Sequence, residues 1–227
     1  MRQLSLAASL SAYLDDLEYT EAALHAEPET AELAAPFHEA IAQWPDIHQR
    51  QRGAWRAIIR ADAVAAVRDG QLDQTTRRFG GGVLMEAGQD RKSTFFRRFF
   101  PMAPSEFIRQ GLRTQCERTR DVILPELEKL DANSPLRAFA KPLGDGVKAA
   151  LAALTTRSKA KGEAAIAAAD VEEWKEGINQ LRRSTYAELM KRAADQKYPR
   201  EWPEMFFRSA SQQSAEEEAD EPGTAPA

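Results

Sequence analysis

Thiol chemistry is almost absent from this chain, whose 227 residues contain one cysteine, Cys116. A lone cysteine closes no disulfide within the chain and builds no cysteine zinc cluster. Histidine is nearly as scarce, at His25, His38 and His48. None of the three follows a glutamate by three positions, which removes the Glu-x-x-His motif of carboxylate-bridged di-metal bundles. No two stand four residues apart, which removes the helical zinc-protease pattern. Long apolar runs are missing too. Nothing approaches the roughly 18 consecutive apolar residues that a membrane span requires. The stretch from Met1 to Ala8 is too polar for a signal-peptide core, and Asp15 and Asp16 follow it closely. A cytoplasmic protein without a membrane span is expected.

Phosphate-binding loops are excluded by what surrounds the one glycine cluster. Gly80-Gly81-Gly82 is followed by Val83-Leu84-Met85, where a Walker loop needs lysine and then serine or threonine. No strand precedes the triplet, as a dinucleotide fingerprint would require. Asp15-Asp16 and Glu172-Glu173 are neighbours in sequence, but adjacent helical residues point about 100° apart and do not share a site. Cys116 lies on a helix near Arg113, Glu117 and Arg120 and reads as a small residue at the edge of a core. No catalytic set, metal site or cofactor is expected, and the chain reads as a non-enzyme.

What is abundant is helix-forming sequence. Alanine, leucine, glutamate and arginine dominate the long segments, and they lose little side-chain freedom in a helix. Hydrophobic residues make up 43% of the chain and charged residues 29%, a globular balance. The charge is segregated. Residues 1–48 hold nine acids and one base, residues 77–120 hold ten bases and four acids, and residues 208–227 hold five acids and one base. Opposite charge on two segments either draws them together in the fold or leaves a basic face for an anionic partner.

Apolar spacing of three and four predicts a series of helices. The first runs from about Leu4 to His25 and stops before Pro28. A second is expected from Thr30, carrying Leu33, Phe37, Ile41 and Trp44, with Pro45 closing or bending it. A third starts near Asp46 with the stripe Trp55, Ile58, Ile59, Ala63 and Val67, and Gly70 as its C-terminal cap. Residues 71–88 read as helix through Leu72, Thr76, Phe79 and Val83, despite the glycines; a loop or hairpin turn is the rival. Ser105 opens a helix to Leu130 that Pro125 bends. Ser134-Pro135 opens another to Leu154. The last long helix is expected from about Lys159 to Gln196. Tyr198-Pro199 and Trp202-Pro203 then force extended backbone, a strap laying Tyr198, Trp202, Phe206 and Phe207 over the bundle.

One segment departs from this pattern. Ser93-Thr94-Phe95-Phe96-Arg97-Arg98-Phe99-Phe100-Pro101 holds four of the ten phenylalanines, wrapped around two arginines. Three readings stand side by side. The rings form one apolar face of a single helical turn, with Arg97 and Arg98 pointing outward. Alternatively, the basic region 77–120 binds nucleic acid through phosphates, with aromatics stacking on bases. In the third, phenylalanines flanked by arginines dock on a protein partner or an anionic membrane surface.

The expected fold is therefore all-α, an up-and-down bundle of about six helices over residues 1–207. A helical subdomain over residues 1–70 is open, and residues 208–227 form an acidic, disordered C-terminal tail. The expected function is that of an interaction, scaffold or assembly protein. Phe95, Phe96, Arg97, Arg98, Phe99 and Phe100 are its candidate interaction residues, and a protein partner or a second copy its target. Nucleic-acid binding by residues 77–120 is the alternative.

Overall fold

The structure, a computed structural model, describes residues 3–209; the expected disordered tail lies, from residue 210 onward, outside them. Among the described residues helix makes up 81% and no strand occurs. The α-helices are α1 (Leu10–Ala26), α2 (Ala35–Glu86), α3 (Thr94–Phe99), α4 (Pro104–Ile108), α5 (Leu112–Arg118), α6 (Leu124–Glu128) and α7 (Ala140–Gln196). Five of them are longer than five residues (α1, α2, α3, α5 and α7), which corrects the expected count of about six.

The correction comes from predicted breaks that do not break. Pro45 and Gly70 both lie inside the 52-residue α2, and the gap expected before Lys159 lies inside the 57-residue α7. Each break carries a local penalty, about 1 kcal/mol for a glycine and about 3 kcal/mol for a proline. Packing outweighs it. Phe37, Ala40 and Ile47 are buried around Pro45, and Leu72, Phe79 and Val83 are buried beyond Gly70. In α7 the Thr155 and Thr156 hydroxyls donate to the carbonyls of Leu151 and Ala152, both at 3.0 Å, so the polar pair is satisfied within the helix.

Two compact units divide the chain. Unit 1 contains residues 1–53 and 165–227, and unit 2 contains residues 54–164. Among the described residues, 3–53 group with 165–209.

Unit 1 has its own core, built on Tyr13, Leu17 and Leu24 of α1, Phe37 and Ile47 of α2, and Trp174, Ile178 and Leu189 of α7. Ser9 caps α1 by accepting from the Ala12 amide at 3.1 Å. Thr30 does not cap a helix as predicted. Its hydroxyl donates to the carbonyls of Leu24 (2.8 Å) and Glu27 (3.1 Å), closing the turn after α1. The C-terminal strap behaves as an extension of this core. Phe206 and Phe207 are buried, and the Tyr198, Trp202 and Phe206 rings follow one another at 4.8 and 4.9 Å.

Unit 2 has a separate core rich in phenylalanine. The glycine triplet is helical, as the spacing predicted, and two of its glycines are points of close approach. A Cβ on Gly80 would lie 2.9 Å from Cγ of Pro104, and one on Gly82 would lie 3.0 Å from Leu136. The helix expected over 105–130 is interrupted at Gly111, whose φ of +88° favours glycine. A π turn at Thr119–Ile123 stands just before Pro125, widening the helix where the proline ring needs room.

Candidate interaction surface

The middle of α2, residues 54–71, turns its bulk outward. Ala61 and Ala65 are buried, as is Leu72 beyond them. Trp55 (63% exposed), Ile59 (52%) and Val67 (57%) stand on the other side, and Val64 (50%) lies on the flank away from Trp55. The stripe Trp55, Ile58, Ile59, Ala63 and Val67 was expected as the apolar side of a helix, and only Ile58 of it is half-buried. Its periodicity is real, but that face meets no other element of unit 2.

The neighbour on the alanine side explains the inversion. Gly146 of α7 lies opposite Leu72 of α2, where an added Cβ would sit 3.2 Å from Leu72. Arg157, eleven residues further along α7, is hydrogen-bonded to Asp62, ten residues earlier in α2. The two helices therefore run antiparallel. Their seam is small on both sides, with Ala61 and Ala65 against Ala150, Ala153 and Ala160, all buried. Such a seam lets the backbones approach closely but leaves no room inside for tryptophan or isoleucine. It also stabilises little, because one methyl contributes under about 1 kcal/mol where a buried leucine contributes roughly 1.5–3 kcal/mol.

Along one flank of the seam runs a shallow groove of about 410 Å³. It is lined by Ala57, Ala61, Ala153 and Ala160, with Arg60 and Val64 from α2 and the ion pair of Lys159 and Glu163 from α7. Arg56 and Arg60 are exposed beside the apolar stripe, and neither forms an ion pair among the described residues. The surface thus combines apolar bulk with uncompensated positive charge.

The phenylalanine-arginine segment is placed differently. Ser93 caps α3 by accepting from the Phe96 amide at 3.2 Å, and the turn sends Phe96, Phe99 and Phe100 into the core. Phe99 meets Phe79 edge-on at 5.4 Å, and Phe100 meets Phe107 edge-on at 5.6 Å. Phe95 is half-buried against Phe99. Arg97 and Arg98 stay at the surface, where Arg98 donates twice to one Glu126 oxygen, at 2.6 and 2.9 Å. Lys129 and then Arg98 hold the Glu126 carboxyl below its usual range. With this core intact, the segment leaves only its two arginines and part of Phe95 at the surface.

A second polar constellation, in unit 1, is buried. Arg182 and Asp16 pair at 3.4 Å with side chains only 2% and 3% exposed. Burial lowers the Arg182 pKa, and the Asp16 carboxylate opposes that shift. Asn179 both accepts from the Leu4 amide and donates to the Leu4 carbonyl, each at 3.0 Å, and donates to Tyr13 Oη at 3.0 Å. Lys175 donates to the carbonyls of Leu6 (2.9 Å) and Ala8 (2.5 Å), and desolvation lowers its pKa. The network fastens the N-terminal segment to α7. In sequence Asp16 is one of two adjacent aspartates, and Arg182 lies 166 residues away, so no local signal joined them.

Chemistry elsewhere is sparse. Burial pushes the Cys116 thiol up to about 11, far from a reactive thiolate. His38 contacts Glu21 at 2.8 Å, and His48 stacks on Trp44 at 4.7 Å. Among the described residues no group of three or more histidine, cysteine or acidic side chains is arranged to hold a metal ion, and no helix is long and apolar enough to cross a membrane. Comparison with family models, with curated proteins and with solved structures gives no match.

Proposed function

We propose that the protein acts by binding another macromolecule rather than by catalysis, as a scaffold or assembly subunit of the cytoplasm. Its contact face is the outward side of α2 between Trp55 and Val67. One observation carries this reading: Trp55, Ile59 and Val67, on the outward side of one short stretch of helix, are each more than half exposed. Single exposed apolar residues are ordinary, but a contiguous patch marks a binding site. Tryptophan and arginine, both present here, are the residues most often found at the energetic centre of interfaces. Photo-crosslinking in host cells tests it. A photoreactive amino acid replacing Trp55 is expected to give discrete protein adducts that the same group at exposed Arg137 does not. Equal, diffuse labelling at both positions would overturn the reading.

The charge of unit 2 favours a second reading. Residues 54–164 hold 20 bases and 13 acids, and Arg77, Arg78, Arg91, Lys92, Arg97, Arg109 and Arg113 are exposed. A nucleic acid would be held there mainly through its phosphates, so affinity would fall steeply with salt. Retardation of a labelled oligonucleotide at low salt, lost at physiological salt, is the expected result. No retardation at low salt removes this reading.

A further inference from the structure

The apolar stripe of α2 has a counterpart on the same chain. On α7 in unit 1, Ile166 is 66% exposed, and Ala169, Glu173 and Glu176 are exposed at intervals of three and four after it. That spacing sets the four side chains along one face of the helix. Glu173 and Glu176 form no ion pair among the described residues. On α2 in unit 2, Trp55 and Ile59 share a face four residues apart, and exposed Arg56 and Arg60 flank it on one side. One face is apolar with two free arginines, the other apolar with two free glutamates.

The charge of the two units agrees with this match. Unit 2 carries 20 bases and 13 acids, while unit 1 carries 11 bases and 22 acids. Two like faces brought together would repel, whereas the basic face of one molecule against the acidic face of another is favoured and steered into register. We infer that the occupant of the α2 face is a second copy of this chain, which presents Ile166, Glu173 and Glu176 of its α7 to Trp55, Ile59, Arg56 and Arg60. The apolar residues form the dehydrated centre of the contact, and the four charges form its rim. This inference rests on the proposed interaction role and names the partner for the same face.

Light scattering during size-exclusion chromatography at low salt tests it on the full chain. The wild-type protein is expected at a mass at least double the 25.3 kDa of one chain. The doubly substituted Arg56→Glu/Arg60→Glu chain is expected to run as a monomer, and so is Glu173→Lys/Glu176→Lys, each with wild-type helix content by circular dichroism. Mixing the two variants is expected to restore the larger mass, because glutamates on one chain then face lysines on the other. A wild-type monomer at every loading overturns the inference, as does a mixture that stays monomeric. The two proposals fail separately. Discrete Trp55 crosslinks to a different protein, with the wild-type chain monomeric, would sink self-association and leave the interaction role standing. Absence of specific crosslinks would remove both.

Discussion

The two units complete their cores by different means. In unit 1 the segments flanking α1 and α7 are tied down by polar groups: Asn179 and Lys175 grip the backbone of residues 4–8, Asp16 pairs with Arg182, and Arg182 lies over the Phe207 ring at 5.1 Å. In unit 2 the short helices α3 to α6 are held by rings and close backbone contact, with Phe79 touching Phe99, Phe100 and Phe139. Polar fastening specifies where a segment lies, because a buried amide or charge tolerates few partners. Aromatic packing supplies more free energy per residue but is less selective about register. The chain uses the first for its ends and the second for its compact middle.

The largest effects should come from attacking each device at its centre. Phe99→Ala is expected to lose about 3–5 kcal/mol through the cavity it leaves. Hydrogen exchange should speed up across α3 to α6, while residues 4–26 keep their protection. Arg182→Ala should cost a similar amount, about 3–5 kcal/mol, by stripping Asp16 of its buried cation. Its exchange signature should fall on residues 4–26 instead. The rescue distinguishes the two devices further. Asp16→Leu combined with Arg182→Leu should recover much of the loss, since a buried pair is often replaceable by apolar residues. If both single variants loosen the same segments, the contrast drawn here is wrong.

Close packing in unit 2 makes a sharper, smaller contrast inside one triplet. Gly80→Ala drives a methyl into Pro104 and is expected to cost about 1–3 kcal/mol. Gly81→Ala meets nothing within 4 Å and should stabilise by up to about 1 kcal/mol, as an alanine in an exposed helix does. Urea midpoints of the two variants, moving in opposite directions, would confirm the helical triplet. Movement in the same direction would argue against the Gly80–Pro104 contact.

Alkaline pH should act on the buried thiol. The folded protein holds Cys116 protonated up to about 11, while the unfolded chain ionises it at an ordinary thiol value. The unfolded state therefore releases the proton first, and the thiol's contribution to stability is whole at neutral pH. It is lost progressively as pH rises from the ordinary thiol range through about 11. In urea melts across that window the wild type should lose stability relative to Cys116→Ala as pH rises; a constant difference would contradict the burial. The smallest expected effect is at the surface. Trp55→Ser should change stability by no more than about 0.5 kcal/mol, yet remove most of the iodide-quenchable tryptophan fluorescence, because Trp174 is buried and Trp44 and Trp202 are partly covered.

Much of the local structure was readable in advance. The 3- and 4-residue spacing of Leu72, Thr76, Phe79 and Val83 announced a helix through three glycines, and Ser134-Pro135 marked the start of the last helical stretch. The Arg97 and Arg98 side chains do point outward from one helical turn of phenylalanines. The apolar stripe of Trp55, Ile58, Ile59, Ala63 and Val67 was visible too, but its exposure was not. Periodicity shows that a helix has an apolar side; it does not show whether anything stands against that side. The alanines that occupy the inner position carry so little hydrophobic weight that the tryptophan and isoleucine outside dominate any pattern.

Helical class, the helical start at Ser134-Pro135, and the division of charge between the ends and the middle of the chain all follow from residues close together in sequence, because propensity and charge are local quantities. The continuity of α2 through Pro45 and Gly70, the union of Asp16 with Arg182, and the exposure of Trp55 were settled only by the folded chain. Each depends on a balance between a local penalty and a contact made by residues distant in sequence, and the identity of that distant neighbour exists only in three dimensions.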